Sequence, residues 1–181
     1  MSNLQRLYIS NPLFLFANFL TNIIQGGKCM EAKVSVLVSL AKVLNINNIK
    51  WGVGASMLMY LKGINTAVND IDIIIDINDL SKFLDIIEYA QNKNEEESPK
   101  YPTEHFYELT IKNVDLDIMF NYKVNTDDGI YDYPFDKDEL EIVHMKNTKV
   151  YLLSIEEWLK AYKAMGRTDK VLVLEKYLKI G

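Results

Sequence analysis

Residues 69–76 read NDIDIIID, two aspartates one position apart at the head of an isoleucine run. Successive side chains of a strand point to opposite faces, so as a strand the stretch sets Asp70 and Asp72 on one face and Ile71, Ile73 and Ile75 on the other. Ile74 follows the aspartates on theirs, which leaves that side only partly wet. Carboxylates two strand residues apart sit roughly 6 to 7 Å from each other. At an effective dielectric near 20 they repel by about 2.5 kcal/mol. The flanking residues indicate what makes that repulsion useful beside a core.

Upstream, IKWGVG (49–54) reads as a short buried strand running into a glycine turn, and ASMLMYLK (55–62) as a short helix closed by Gly63. A strand, a glycine turn and a helix could open a dinucleotide-binding unit. Met57, however, stands where the third small residue of that motif belongs. The helix, at about 13 Å, is short for a crossover that packs along a sheet. Asp70 and Asp72 would also go unexplained, and a lone GxG is weak. No GK[ST] is present, so there is no P-loop. A second reading uses all of these residues. A glycine turn at a helix N-terminus offers backbone N–H groups to a phosphate chain. Two carboxylates opening the next strand hold a divalent metal over those phosphates. A third carboxylate on a neighbouring strand completes a site for two metals that clamp an in-line displacement. VDLDIMF (114–120) supplies Asp115 or Asp117, which face the same way by period two. Asp115 stands two residues past the Lys112–Asn113 turn, as a strand-end acid in water would. Asp117 sits mid-strand between Leu116 and Ile118, where a carboxylate needs a partner, and is the preferred third acid.

The rest of the 181-residue chain, 49% hydrophobic and 25% charged, suits one domain with helical appendages. Net charge is −5, so the surface as a whole does not advertise nucleic-acid binding. Cys29 is the only cysteine, so no intrachain disulfide forms, and a cytoplasmic location is the expectation. PLFLFANFLTNII (12–24), broken by Asn18 and Asn22, is too short and polar to span a bilayer and reads as part of a covering helix. Residues 11–26 and 31–45 carry helical spacing, with Gly26 and Gly27 between them. Asp79, or Asn78, can cap the helix LSKFLDIIEYAQNK. FYELTIK and VDLDIMF form a hairpin, and strand-like pieces follow around 140–152. Glu95, Glu96 and Glu97 belong to a solvated loop, KNEEESPK. Ser154 and Glu157 have capping-box spacing at the head of a C-terminal helix, and a last helix spans roughly 168–179. The fold class is α/β or α+β, a mixed sheet flanked by helices with helices at both ends. The expected division is an N-terminal helical extension (1–30), a core (31–152) and a C-terminal helical segment (153–181).

Val53-Gly54-Ala55-Ser56, then Asp70-Ile71-Asp72-Ile73, then Asp117, resembles the signature of the nucleotidyltransferase superfamily with the DNA polymerase β fold. Ala55 departs from it and pushes the small hydroxyl residue to Ser56. LLSIEEWLKAYKAMGRTDKVLVLEKYL (152–178) is similar to the closing helices of small bacterial members, including those near the lincosamide nucleotidyltransferases, with Lys163, Gly166, Arg167 and Lys170. The likeness spans residues 31–181. It implies transfer of a nucleoside monophosphate from a nucleoside triphosphate such as ATP, with Mg²⁺ or Mn²⁺. Acceptors among its members include small molecules such as antibiotics, tRNA ends and protein hydroxyls.

On this resemblance Asp70, Asp72 and Asp117 are the metal-holding and catalytic acids. Gly54 and Ser56 cradle phosphates, and Lys163 and Arg167 share a helix face that can meet the triphosphate or the acceptor. Each has a plainer reading: Ser56 as a helix N-cap, Lys163 and Arg167 as a solvated face. Trp158 and Tyr162 read as core before substrate platform. His105 and His144 lack ligand spacing for zinc. A module of the same fold without turnover, such as a toxin–antitoxin component, is the competing expectation.

Overall fold

The computed structural model describes residues 30–89, 102–127 and 129–179. The helix expected in the N-terminal apolar stretch, Cys29 and the loop expected at KNEEESPK lie outside these residues. The described chain runs α1 (Met30–Ile46), β1 (Trp51–Val53), α2 (Ala55–Leu61), β2 (Ile71–Ile75) and α3 (Leu80–Tyr89). The hairpin β3 (His105–Ile111) and β4 (Val114–Phe120) follows. Next come β5 (Lys123–Thr126) and β6 (Gly129–Asp132), then β7 (Glu141–Met145) and β8 (Thr148–Leu152), then α4 (Ile155–Ala164) and α5 (Thr168–Leu178).

Six strands form one mixed sheet in the order β3-β4-β2-β1-β8-β7. β2 runs parallel to β4 and β1 parallel to β8, while the other pairings are antiparallel. The fold is thus the expected mixed sheet flanked by helices. β1 and β2 are antiparallel neighbours. A dinucleotide-binding βαβ unit needs them parallel, so that reading falls on topology.

The core follows the apolar periodicity. Trp51, Val53, Ile71, Ile73, Ile74 and Ile75 are buried in the central strands. Phe83 of α3 meets Tyr107 and Phe120 at ring-centroid distances of 5.8 and 5.4 Å, which fixes that helix over β3 and β4. The β3–β4 turn has Lys112 and Asn113 at φ +53° and +60°, and the β7–β8 turn has Lys146 and Asn147 at +45° and +61°. Two consecutive left-handed residues are what a tight two-residue hairpin requires. The short hairpin β5–β6 was not anticipated, because KVNT and GIYD are only four residues each and carry no clear apolar alternation.

The cap expected at Asp79 or Asn78 is corrected. A 3₁₀ turn over Ile77–Asp79 precedes α3, so the capping position moves upstream to Asp76, whose side chain accepts the Asn78 N–H at 3.0 Å. Asp79 is buried instead and accepts from the Lys50 N–H (2.8 Å) and Lys82 Nζ (2.6 Å). Ser154 does cap α4, its Oγ accepting the Glu157 N–H at 3.2 Å. No helix among the described residues is long and apolar enough to cross a membrane.

Candidate active site

Strand pairing decides which carboxylates meet. In the parallel ladder of β2 and β4, Ile71 pairs with Leu116 and Ile73 with Ile118, which sets Asp72 directly beside Asp117. Neighbouring residues in a sheet have Cβ atoms about 5 Å apart. Asp70 lies two residues before Asp72, just outside the strand, and faces the same side. All three line one cavity of about 210 Å³, together with Ala55, Ser56 and Asn69. That volume is small for a ligand pocket. Asp115 is exposed, accepts from Thr110 Oγ1 at 2.9 Å and is absent from the cavity wall.

Electrostatics match this crowding. Burial first, then Asp70 and Asp117, push the Asp72 carboxyl well above the usual carboxylate range, against a smaller opposing pull from Arg167. Burial, then Asp70, Glu108 and Asp115, raise Asp117 to about 7. Glu108 is its antiparallel partner across β3. Two such carboxyls side by side share protons at neutral pH unless a cation joins them.

The turn after β1 differs from expectation. The Gly54 N–H donates to Asp72 O at 2.9 Å, so that amide is committed to tying the turn to β2. Above Gly54 lies Trp158, since a Cβ at this position would stand 2.2 Å from its Cζ2 and 2.6 Å from its Nε1. Gly54 therefore makes room for an indole. Ser56, 8% exposed, is on the cavity wall. Ala55, the departure from the signature, sits at φ +44°, a conformation glycine adopts without strain.

The lining also carries aromatic and basic side chains. Trp158 is 1% exposed and is at once core and cavity wall. It stacks on Tyr122 at 5.8 Å and meets Tyr162 at 5.6 Å. Burial, then the charge of Asp72, raise the Tyr162 phenol, which stays neutral at working pH. Arg167 and Lys170 reach the wall from the turn into α5 and its first turn. Lys163 is not brought there. Its Nζ pairs with Glu175 at 2.8 Å, and it lines a separate surface depression with Asp127, Ile130 and Tyr131. Lys163 and Arg167 are four apart, but the helix ends at Ala164, so they no longer share a face. Lys170, Tyr122 and Asn69 were not among the expected site residues. The Gly-Arg-x-x-Lys spacing was the available signal for Lys170, whereas nothing local marks Tyr122. His105 and His144 stand on opposite edge strands of the sheet.

Three aspartates and a serine are hard oxygen donors of the kind that suits Mg²⁺ or Mn²⁺. Among the described residues, no three acidic, His or Cys side chains are drawn close enough to grip an ion, so the carboxylates would have to close on it.

No protein-family model and no curated protein sequence matches the chain. Solved structures do. An inferred nucleotidyltransferase from Thermotoga maritima is 26% identical, with 84% of this chain and 96% of that one covered at a TM-score of 0.63. The lincosamide antibiotic adenylyltransferase LnuA, solved with lincomycin bound, is 18% identical over 83% of this chain and 98% of its own, with a TM-score of 0.52. ANT(2'')-Ia in complex with adenylyl-2''-tobramycin is 12% identical, covering 81% and 90%, with a TM-score of 0.52. The fold is that of the nucleotidyltransferases.

Proposed function

We propose that the chain transfers a nucleoside monophosphate from a nucleoside triphosphate to a hydroxyl-bearing acceptor, with Mg²⁺ or Mn²⁺ held by Asp70, Asp72 and Asp117. The observation that carries this reading is the parallel pairing of Asp72 with Asp117 on a cavity also lined by Ser56, Arg167 and Lys170. The metal, when bound, neutralises phosphate charge and orients the α-phosphate for attack. Arg167 and Lys170 bind phosphate oxygens from the cavity lining, and Ser56 donates from the head of α2. Asp117, the carboxylate on the neighbouring strand, takes the proton of the acceptor hydroxyl as its oxygen bonds to the α-phosphorus. The bond to the β-phosphate then breaks and pyrophosphate leaves. Trp158 and Tyr162 keep water from that side of the reacting atoms. Gly54 serves through packing, and Lys163 has no part.

The test is a thermal-shift panel of the four ribonucleoside triphosphates, each with Mg²⁺ and with excess chelator. At least one should raise the Tm, and only with the metal, because the acidic cluster repels an unaccompanied triphosphate. Equal shifts in chelator, or none with any nucleotide, would overturn the reading.

A further inference from the structure

Lys33 is an anomaly. Among the described residues the buried polar side chains are Lys33, Ser56, Asp79 and Thr148, and Lys33 is 7% exposed. Taking an ammonium out of water is expensive unless a carboxylate answers it. Among the described residues none lies within ion-pair distance, and Nζ donates to the backbone carbonyl of Val68. Lys33 also stands in the first turn of α1, where the helix dipole disfavours a cation. A methionine or leucine there would suit the fold better.

What Lys33 grips explains its presence. The loop between α2 and β2 contributes Ala67, Asn69 and Asp70 to the cavity but has no regular structure of its own. Its start is tied by the Ile64 N–H to Met59 O at 2.9 Å, and its end enters the sheet at Ile71. Between them, among the described residues, two side chains tether it by hydrogen bonds. Lys170 Nζ reaches Thr66 Oγ1 at 2.6 Å, and Lys33 holds Val68 O, two residues before Asp70. Asp72 is locked by strand pairing, whereas Asp70 sits one residue outside it. Resting on the reading of the three aspartates as a metal site, we infer that Lys33 is a positioning residue. By pinning the Val68 carbonyl it fixes the peptide that aims Asp70 into the cavity.

The inference makes stability and affinity move in opposite directions. Lys33→Met keeps an unbranched side chain one heavy atom shorter and removes both charge and donor. In chelator its Tm should equal or exceed that of wild type. Its Mn²⁺ affinity, read as free Mn²⁺ by electron paramagnetic resonance on the full chain, should fall about fivefold or more. The buried side chain of Val68 retains part of the loop's order, so the loss stays short of complete. Lys33→Arg, which keeps a charged donor, should bind Mn²⁺ within a factor of two of wild type. Unchanged affinity in Lys33→Met overturns the inference. So does a variant that melts lower and binds worse, as in general loosening, with no recovery in Lys33→Arg. Should Lys33→Met fail to fold, Lys33→Gln, a shorter neutral donor, takes the same comparison. Failure of the wild type itself to bind Mn²⁺ sinks the metal-site reading, whereas equal binding by wild type and variant sinks only the role of Lys33.

Discussion

Removing one aspartate should make the metal-free protein more stable. Asp72 has Asp117 beside it on the parallel strand and Asp70 two residues before it. At about 5 to 6 Å and an effective dielectric near 20, the first pair repels by about 3 kcal/mol. The second adds about 2.5 kcal/mol by the same rule. Most of this is relieved in place. Asp72 and Asp117 both hold protons above their ordinary range, and Arg167 pulls the other way. The isosteric Asp72→Asn also brings an amide that needs partners of its own. What remains is roughly 1 kcal/mol in favour of the variant at pH 8. For a chain of this size that is a Tm rise of about 2 to 4 °C. Mg²⁺ at ten times its Kd stabilises the wild type by about 1.4 kcal/mol and the variant hardly at all, so the order should reverse. Urea melts of both proteins, in chelator and in Mg²⁺, provide the comparison. A destabilised Asp72→Asn in chelator, or the same gap with and without Mg²⁺, would refute a cation site built on these aspartates.

Gly54→Ala should cost at least about 2 kcal/mol in a urea melt, because the new Cβ meets the Trp158 ring at 2.2 Å. A neutral effect would mean that the indole is free to move. Asp117→Asn should abolish nucleotide transfer and Asp115→Asn should keep most of it, with the reverse ranking counting against the β2–β4 register. Lys170→Ala should weaken triphosphate binding about tenfold by calorimetry and Lys163→Ala by less than twofold, since only Lys170 reaches the cavity. Metal-free stability should fall as pH rises from 5 to 8. Asp117 keeps its proton in the folded chain up to about 7, while the unfolded chain has released it near 4, so this stabilisation is complete below pH 4 and lost through pH 7. After allowance for solvent screening the loss is about 1 to 2 kcal/mol. The slope should lessen in Asp117→Asn, where Asp72 still contributes, and an equal slope in that variant would assign it elsewhere.

Much of the fold was legible because its signals are local. The isoleucine alternation of β2, the Lys112–Asn113 turn and the Ser154 cap each follow from a few adjacent residues. The aspartate pair was legible for the same reason, since period two fixes the face they share. The partner strand was harder. That Asp117 lands beside Asp72 depends on a parallel pairing of strands more than 40 residues apart, and only its mid-strand setting hinted at it. The basic wall was less legible still. Helical spacing tied Lys163 to Arg167, but α4 stops at Ala164 and the chain turns at Gly166 (φ +67°), sending the two cations to different sides. A pair rule holds only within one helix.

The turn over Val53–Ser56 shows how a motif can be right about place and incomplete about cause. Its glycine reads as a point of close approach for phosphate, yet the atom that approaches is part of Trp158. The residue with a left-handed backbone is Ala55, at a strain cost of about 1 kcal/mol that glycine would avoid. That strain lies on the cavity wall, which Ala55 helps to form. The Gly54 N–H and the Asp72 carbonyl then bind the strained turn to the carboxylate strand at 2.9 Å. Ser56, two residues after Gly54, and Asp72 thus line one cavity on backbone segments joined by a hydrogen bond, with the Trp158 indole on the same wall. The turn's contribution to the cavity is thus geometric before it is electrostatic: it ties the head of α2 to the strand that carries the acids.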